Sequence, residues 1–378
     1  MVIGVLKEQA PETRVSLVPE VVAALVKMNV SVYVEPGAGD TAFHSDKSYT
    51  DAGAVIKDRN TIVSEANLIL AIHTENMPDG VKQGTVVMGV FQPLFNTKQM
   101  QQWAGKGYTV FSLDTIPRTT RAQAMDVLSS QANIAGYKAV LLAAFQYCRY
   151  FPMFMTAAGS IPPAKVLILG AGVAGLQAIA TARRLGAVVE VFDTRPAVKE
   201  EVMSLGAKFV EVEGAADASK AGGYAVEQSE DFQRKQREKI HEHAKKSDII
   251  ITTAQIPGRK APILITKEMI EDMRAGSVII DIASVTGGNT DLTKDRETVM
   301  HNGVAIIGNS ALAATASADA SKVYSKNVLN FLKLVIDKEG NMNLNFEDDI
   351  VKGTCIATGG NIVNERVQSL ISPQTANA

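Results

Sequence analysis

The stretch Lys165-Val-Leu-Ile-Leu-Gly-Ala-Gly-Val-Ala-Gly-Leu-Gln-Ala-Ile-Ala180 decides the fold of this chain of 378 residues. Val166 to Leu169 is a continuous apolar run, which is typical of a strand that is buried on both faces. Gly170, Gly172 and Gly175 follow in the spacing G-x-G-x-x-G. This spacing predicts a tight turn, close approach of a pyrophosphate to the backbone, and close packing of the next helix on the strand.

A second strand and an acidic residue follow this glycine turn. Val188 to Phe192 predicts the strand, and Asp193 lies near the usual distance of about 20 residues beyond the glycines, where an acid binds ribose hydroxyls. A carboxylate there repels a 2′-phosphate, so it favours NAD over NADP, although Arg195 weakens that preference. The alternative is a bare glycine turn in an α/β core. The cofactor-binding candidates of this region are Gly170, Gly172, Val173, Gly175, Asp193, Thr194 and Arg195.

Composition places the chain among ordinary globular proteins. It is 46% hydrophobic and 21% charged, and its net charge of −2 gives no electrostatic basis for nucleic-acid binding. Cys148 and Cys355 lie far apart and form no metal-binding pattern, so we expect free thiols in a reducing compartment and no metal. The apolar run 139–145 is too short to span a bilayer, and the N-terminus predicts a strand instead of a signal peptide. We therefore expect no membrane insertion.

Strand and helix patterns alternate along the chain, which predicts an α/β fold of two doubly wound, Rossmann-like domains with parallel sheets. Residues 1–135 contain no phosphate-binding glycine loop, and the tail from about 330 to 378 is expected to pack back on them. Residues 136–329 carry the glycine turn. Two crossings between the domains suit a hinged nucleotide cleft between them.

Three segments connect or interrupt these domains. Residues 121–150 carry apolar residues at helical spacing and predict a long helix, whereas residues 151–163 are rich in Pro, Met and Gly and predict an irregular crossover. Residues 211–237 interrupt the second sheet with small and polar residues. We interpret them as a mobile flap with Tyr224 as a nucleotide contact; a tolerated surface insertion is the alternative.

Other polar residues lie at the carboxyl ends of predicted strands, where nucleotide contacts gather. Thr253, Ala254 and Gln255 follow one such strand and are further cofactor-binding candidates. Asp281 follows another and either faces the nucleotide or caps the next loop. His73 lies beside an apolar strand, where a histidine is more often structural than catalytic.

Several of these motifs resemble a known family, the NAD(H)-binding component of proton-translocating nicotinamide nucleotide transhydrogenase. The resemblance covers nearly the whole chain, and the related alanine dehydrogenase family shares the fold and the opening pattern Lys7-Glu8…Arg14-Val-Ser-Leu-Val-Pro19. The motifs that carry it are Ser129–Tyr137, Lys165–Gly186, Gly222–Tyr224, Thr252–Gly258 and Gly287–Asn289.

The resemblance implies that two different components bind the two nucleotides. NAD(H) would bind to this chain, and NADP(H) would bind to a partner component. Hydride would pass directly between them with Si–Re (AB) stereospecificity, and membrane-spanning components would couple the transfer to proton movement. The chain would be a homodimer, cytoplasmic and peripheral on the inner face of the membrane, held there by its partners.

The segment Arg118-Thr-Thr-Arg-Ala-Gln-Ala-Met-Asp-Val-Leu-Ser129 resembles the signature loop of that family. The resemblance implies that Arg118, Gln123, Asp126 and Ser129 approach the nicotinamide and serve as the catalytic set. Arg118 could hold a pyrophosphate oxygen or pair with Asp126, and the other three could orient the ribose or the carboxamide. Without the resemblance, this segment predicts an ordinary helix start with solvated charges.

An amino-acid dehydrogenase is the alternative enzyme, and its chemistry needs a base and a group that grips a carboxylate. The alanine dehydrogenase pattern has a lysine in place of His73, a histidine in place of Gln92 and an aspartate in place of Val285. Only Arg14 is retained. Hydride transfer between two nicotinamides exchanges no proton, so a site that aligns the two rings needs no base. A non-catalytic NAD-sensing module is the alternative if the chain is not an enzyme. The chain also departs from the family pattern at 285–286 and 313–315.

Overall fold

The computed structural model describes residues 1–212 and 229–371. They form two compact units: residues 1–131 together with the chain from 314 onward, and residues 132–313. Each unit is built on its own sheet, and the central strands of both sheets are short and apolar, as buried parallel strands are. The predicted α/β class with parallel-dominated sheets is confirmed.

The elements follow one another in a largely alternating order. The strands are β1 (Val2–Val5), β2 (Ser31–Val34), β3 (Val55–Ile56), β4 (Leu68–Leu70), β5 (Val86–Gly89), β6 (Thr109–Ser112), β7 (Phe154–Thr156), β8 (Gly159–Ile161), β9 (Lys165–Leu169), β10 (Val188–Phe192), β11 (Lys208–Phe209), β12 (Ile249–Thr252), β13 (Val278–Asp281), β14 (Thr298–His301), β15 (Val304–Gly308), β16 (Cys355–Thr358) and β17 (Asn361–Ile362). The helices are α1 (Pro19–Val26), α2 (Asp46–Asp51), α3 (Arg59–Glu65), α4 (Thr97–Gly105), α5 (Val127–Gln146), α6 (Val173–Arg184), α7 (Lys199–Ser204), α8 (Glu230–Ala244), α9 (Lys267–Glu271), α10 (Ser317–Val335), α11 (Asp349–Thr354) and α12 (Glu365–Ile371).

The first unit has a sheet of eight strands in the order β17-β16-β6-β5-β4-β1-β2-β3. The strands from β6 to β3 are parallel, and β16 joins them antiparallel after the chain returns from the second unit. Alternate residues face two separate apolar clusters: Leu68 and Leu70 belong to one, and Ile69 belongs to the other. Both faces of this sheet are therefore covered, which explains the unbroken apolar runs of its strands.

The second unit has a sheet of seven strands in the order β11-β10-β9-β12-β13-β15-β14. All pairs are parallel except β14 with β15. Two apolar clusters again divide the side chains, with Val166 and Ile168 on one face and Leu167 and Leu169 on the other. The strand order reverses direction at β9, which has β10 on one side and β12 on the other. Ligands of doubly wound sheets bind at such a switch point.

The boundaries between the units differ from those expected at residue 135 and near residue 330. The second unit ends at Ala313, because α10 belongs to the first unit throughout its length. Tyr324, Val328 and Phe331 of α10 are buried in the larger core cluster of the first unit. A helix pattern alone does not reveal which of two cores it faces.

The connecting segments also differ in detail from their predictions. The long helix α5 begins at Val127 instead of residue 121, because residues 120–125 form a 3₁₀ helix and Asp126 accepts the N–H of Ser129 at 2.9 Å as a helix N-cap. The expected irregular crossover contains the antiparallel hairpin β7–β8. The sequence patterns do not predict the strand β14.

The expected irregular segment 211–237 is helical in its last part. The helix α8 begins at Glu230, and Ser229 Oγ accepts the N–H of Phe232 at 3.2 Å. Serine followed by two acidic residues is a helix start, and the alternating charges of residues 231–246 also predict this helix. The irregular segment therefore does not extend over residues 230–237. Residues 213–228, with the candidate contact Tyr224, lie outside the described residues.

Candidate functional site

The three glycines after β9 have three different geometries. Gly170 has a φ of +105°, in the left-handed region. A Cβ atom on Gly175 would lie 1.9 Å from the carbonyl oxygen of Gly170, so only glycine lets α6 sit this close to the strand end. A Cβ on Gly172, in contrast, would have no atom of the described chain within 4 Å. The middle glycine therefore borders open space, where a pyrophosphate fits against the backbone.

The N-terminus of α6 faces this open space. Gly172 is its N-cap residue in an extended conformation, and within the described chain no side chain caps the helix there. Val173 opens the helix and is exposed. Uncapped N–H groups and the helix dipole together favour an anion at this position. The helix α5 also packs tightly here, because a Cβ on Gly136 would lie 2.1 Å from the carbonyl oxygen of Ala174.

Asp193 follows β10 and is tied to the glycine turn. Its Oδ2 accepts the N–H of Ala171 at 2.7 Å, which links the acid directly to the turn. Arg195 holds the same carboxylate through its backbone N–H and Nε, at 2.8 and 2.9 Å from Oδ1, and through Nη2, at 2.7 Å from Oδ2. The carboxylate is nearly buried in this pair. The arginine that weakens the cofactor preference in the sequence is thus a direct partner of the acid.

A pocket at the carboxyl ends of β10 and β11 adjoins this acid. Asp193 and Thr194 form one edge, and Phe209, Val212 and Phe232 supply apolar walls. Lys199 and Glu211 also line the pocket. Apolar walls beside an acid have the chemistry that a planar base and its ribose would require. The sequence motifs do not predict the aromatic residues of this pocket. The available signal is the position of Phe209 at the end of β11, next to the strand that carries Asp193.

The segment after β12 packs against the glycine turn from the other side. The Thr253 N–H donates to the Leu169 carbonyl at 2.9 Å, and its Oγ1 donates to the Gly170 carbonyl at 3.2 Å. Ala254 is held by the buried side chain of Asn289 through both its N–H and its carbonyl oxygen, at 3.0 and 2.9 Å. Gln255 is exposed at the same edge. The glycine turn, Asp193 and these three residues are therefore brought together at one edge of the second sheet.

Asp281 is a loop-capping residue in this structure. It accepts the N–H groups of Ala283 and Asn289 at 2.9 and 2.6 Å and the hydroxyl of Thr293 at 2.7 Å. The carboxylate is fully buried. Of the two interpretations open from the sequence, the cap is the one that its contacts support.

The segment 118–129 belongs to the first unit, and it contains both buried and exposed residues. Arg118 and Gln123 are exposed, whereas Ala122 and Met125 are buried in the larger core cluster. Asp126 and Ser129 lie together: Ser129 donates its N–H to Oδ1 at 2.9 Å and its Oγ–H to Oδ2 at 2.6 Å. These two candidates thus also form the N-terminal cap of α5.

A buried charged cluster lies elsewhere in the first unit. Arg14 donates to Glu12 through Nε and Nη2, at 2.8 and 2.6 Å, and to Gln131 Oε1 through Nη1 at 2.8 Å. His73 Nε2 is hydrogen-bonded to Glu12 Oε2 at 2.8 Å. Burial alone would raise the pKa of Glu12, but the hydrogen bonds from Arg14 and His73 outweigh it and hold that pKa well below its usual range.

Glu8 lies beside this cluster and behaves in the opposite way. Its Oε1 accepts a hydrogen bond from the Ile72 N–H at 2.6 Å. Burial raises the pKa of Glu8 to about 7, against the lowering effects of that hydrogen bond and of nearby His73. Two carboxyl groups four residues apart therefore differ in protonation near neutral pH, since Glu12 accepts hydrogen bonds from Arg14 and is hydrogen-bonded to His73, whereas Glu8 is mainly desolvated.

Residues 1–212 and 229–371 contain neither a candidate metal centre nor a candidate membrane-spanning helix. No group of three His, Cys, Asp or Glu side chains in these ranges could hold a metal ion. In the same ranges, no helix combines the length and the apolar character needed to cross a membrane.

The fold and the glycine-turn site define a dinucleotide-binding α/β protein of two units. Models of the N-terminal and C-terminal domains of the family "Alanine dehydrogenase/PNT" match residues 4–135 and 139–365. The chain therefore belongs to the alanine dehydrogenase/PNT family. It is 45% identical over 376 residues to the first part of NAD(P) transhydrogenase subunit alpha of Rhodospirillum rubrum, covering 96% of this chain and 98% of that one.

Solved structures give the same placement. A transhydrogenase structure from Sinorhizobium meliloti matches with a TM-score of 0.87 and 43% identity, over 96% of this chain and all of that one. A structure of L-alanine dehydrogenase matches with a TM-score of 0.81 over 98% and 99% of the two chains, but at 23% identity it speaks for the fold alone. The resemblance that the sequence motifs indicate is thereby confirmed.

Proposed function

We propose that this chain is the NAD(H)-binding subunit of a proton-translocating transhydrogenase. NADH, when bound, supplies a hydride from its nicotinamide C4 to C4 of NADP⁺ held by a partner component. The hydride carries the electron pair, so NADH becomes NAD⁺ and NADP⁺ becomes NADPH with no proton exchanged. The transfer is Si–Re (AB) specific, and membrane-spanning partner components couple it to proton movement. The family relationship to transhydrogenase alpha subunits supports a role as an oxidoreductase component.

The hydrogen bonds of Arg14 are the observation that favours a transhydrogenase over an amino-acid dehydrogenase within the family. Arg14 is the residue retained from the amino-acid dehydrogenase pattern, where it would grip a substrate carboxylate. Here each of its three side-chain nitrogen atoms already donates to Glu12 or Gln131. His73, in place of the pattern's lysine, is itself engaged with Glu12. A carboxylate substrate would have to displace a buried ion pair, at a cost of several kcal/mol.

The second unit has the groups that a bound NAD(H) requires. The open space beside Gly172 and the uncapped start of α6 suit the pyrophosphate. Asp193 suits the ribose hydroxyls, and the pocket walls Phe209 and Phe232 suit the adenine. Thr253, Ala254 and Gln255 would contact the rest of the nucleotide. We propose NAD(H) as the cofactor of this chain and NADP(H) as that of the partner.

The residues of the 118–129 segment would act on the nicotinamide end of the cofactor. We assign Arg118 to an anionic oxygen and Gln123, Asp126 and Ser129 to the orientation of the ribose or carboxamide. None of them needs to move a proton, because hydride transfer between two nicotinamides requires alignment of the rings above all. This assignment rests on the family resemblance of the segment.

The hairpin β7–β8 supports association with a second copy of the chain. Every residue of both strands is exposed, and apolar side chains gather there and just before it, namely Met153, Phe154, Met155 and Ile161. An isolated two-stranded hairpin is only marginally stable in water, so an apolar one needs a cover. We propose that a homodimer supplies it, and that the dimer is held at the cytoplasmic face of the membrane by its partner components.

Sedimentation would test the homodimer directly. The wild-type chain should have the mass of two copies, and Met155→Glu should shift it toward one copy while leaving its helix content unchanged. A wild-type chain with the mass of one copy would contradict the proposal.

Hydride transfer from NADH to a spectrally distinct NADP analogue would test the function. The chain would be assayed alone, with an NADP-binding transhydrogenase component, and in a control with NADH, pyruvate and ammonia. Transfer only with the partner component is the expected result. NADH oxidation in the pyruvate control would instead support an amino-acid dehydrogenase, the second candidate, and NADH binding without either reaction would support a non-catalytic NAD-binding module.

A further inference from the structure

We infer that Asn327 is a positioning residue for hydride transfer, because its side chain fixes the 118–129 segment on both sides of Asp126. This inference rests on the proposed function, since it assigns Asn327 a role through Gln123 and Asp126. Asn327 lies on α10, about 200 residues along the chain from the segment it holds. It has no place in any motif by which the segment is identified in the sequence.

The contacts of Asn327 form a bridge. Its Nδ2 donates to the carbonyl oxygen of Ala124 at 2.8 Å, two residues before Asp126. Its Oδ1 accepts the hydroxyl of Ser130 at 2.7 Å, four residues after Asp126. One planar amide group thus binds the last turn of the 3₁₀ helix and the first turn of α5. Gln123 immediately precedes the first contact, and Ser129 immediately precedes the second.

An amide suits this position. The Ala124 carbonyl accepts from a donor and the Ser130 hydroxyl donates to an acceptor, and asparagine offers both from one rigid group. The side chain is buried, with 9% of the residue exposed, so water does not readily replace either bond. Neighbouring residues of α10 are locked in the core: Val328 and Phe331 are fully buried. The amide is therefore held from behind by a rigid helix, as a positioning group should be.

Removal of this bridge should affect position more than stability. The Ala124 carbonyl also accepts from Asn330 Nδ2 at 3.1 Å, and without Asn327 the Ser130 hydroxyl can donate to the Val127 carbonyl, which lies 3.1 Å away. Neither group would be left unsatisfied in a variant, so the usual penalty for an orphaned buried polar group is avoided. What is lost is the rigid link across Asp126. A displacement of about 1 Å in a positioned group can slow a reaction about a hundredfold.

The experiment compares the wild-type chain with Asn327→Leu and Ser130→Ala, with Lys326→Ala as the matched control. Lys326 is the preceding residue of the same helix, exposed and 3.7 Å from Glu20. Three quantities are measured for each: hydride transfer with an NADP-binding transhydrogenase component, NADH binding by fluorescence titration, and amide hydrogen exchange of residues 118–130. Exchange is read on the chain without cofactor, so it is independent of activity.

The expected result for Asn327→Leu is a loss of at least about tenfold in kcat, a change of less than about twofold in NADH affinity, and faster exchange confined to residues 118–130. Ser130→Ala should give a smaller loss of the same kind, and Lys326→Ala should match the wild type. Unchanged exchange in Asn327→Leu, or faster exchange with full kcat, would overturn the inference while wild-type transfer stands. Absence of wild-type transfer would overturn the proposed function, and with it the role of Asn327 in transfer.

Discussion

The glycine turn of the second unit and the 118–129 segment of the first unit are the two candidate regions for the cofactor, and they are built in opposite ways. The glycine turn is made of backbone, and its shape depends on the absence of side chains at Gly170 and Gly175. The 118–129 segment is held by side chains of distant residues, chiefly Asn327 and Asp348. One region is specified within a single stretch of sequence, and the other is specified by the tertiary fold.

Because of this difference, we expect substitutions in the two regions to act in different ways. A substitution at Gly175 creates a steric collision with a backbone atom, which is relieved only if α6 moves. A substitution among the anchors of the 118–129 segment removes hydrogen bonds, which the segment can partly replace. The largest effects should therefore come from the glycines, and the smallest from the exposed anchors.

Gly175→Ala should have the largest effect of any single substitution in these two regions. Its Cβ would lie 1.9 Å from the Gly170 carbonyl oxygen, so α6 must move away from β9. Overpacking of this kind costs about 1–3 kcal/mol of the free energy of unfolding, and the moved helix should bind NADH much more weakly. Urea unfolding and fluorescence titration with NADH would measure both.

Gly172→Ala is the matched control for that substitution. Gly172 has an extended backbone that any residue adopts, and its Cβ would meet no described atom within 4 Å. Stability should stay at the wild-type level while NADH binding weakens, because the methyl group would occupy space proposed for the pyrophosphate. Equal loss of stability in the two variants would contradict this account of the turn.

The buried cluster of the first unit predicts a pH dependence that the glycine turn does not. Burial raises the pKa of Glu8 from 4.5 to about 7, so between these values the folded chain holds a proton that the unfolded chain has released. The free energy of unfolding should therefore fall as pH rises through this window, by about 3 kcal/mol, and level off above it. Glu12, whose pKa is depressed, contributes stability that is lost only at much lower pH.

Urea unfolding at pH 5 and pH 8 would measure this dependence, with Glu8→Gln as the comparison. The amide oxygen of glutamine can still accept the Ile72 N–H but does not titrate. The variant should lose most of the difference between the two pH values. The same difference in variant and wild type would exclude Glu8 as its source.

The sequence predicts the glycine-turn region well and the 118–129 region less well. The β9 strand, the glycine turn, α6, β10 and Asp193 are consecutive, so local pattern and spacing suffice to predict them. The start of α5 lies later than the sequence predicts because apolar spacing continues through residues 120–125, where Asp126 ends the 3₁₀ helix and caps α5. Nothing near Asn327 or Asp348 in the sequence indicates their contacts with this segment, since these partners are about 200 residues away or more.

The pairing of Arg195 with Asp193 also lies beyond the sequence, because it depends on a side-chain conformation. It predicts how cofactor preference can be changed. In Asp193→Asn the carboxylate that we propose for the ribose hydroxyls is replaced by a neutral amide, and the Arg195 guanidinium is no longer drawn to a carboxylate. Hydrogen bonds to charged groups contribute about 1.5–3 kcal/mol, so NADH should bind about tenfold more weakly.

The same variant should bind NADPH more tightly than the wild type, because the repulsion of a 2′-phosphate is removed. Titration with both nucleotides measures the two changes on one protein preparation. A parallel loss of affinity for NADH and NADPH would show that Asp193 supports the shape of the glycine turn through Ala171, and does not discriminate between the nucleotides.

Arg121→Ala should have the smallest effect, although Arg121 makes the most conspicuous ion pairs of the 118–129 segment. Its guanidinium donates to both carboxylate oxygens of Asp348, at 2.6 and 2.8 Å, and also to Asp349. The arginine side chain is half exposed, and solvent-exposed ion pairs contribute little to stability. Hydride transfer should therefore change by less than about twofold, well below the change expected for Asn327→Leu. If Arg121→Ala instead slows transfer as much as Asn327→Leu does, the segment is positioned by its charges, and the distinction between buried and exposed anchors fails.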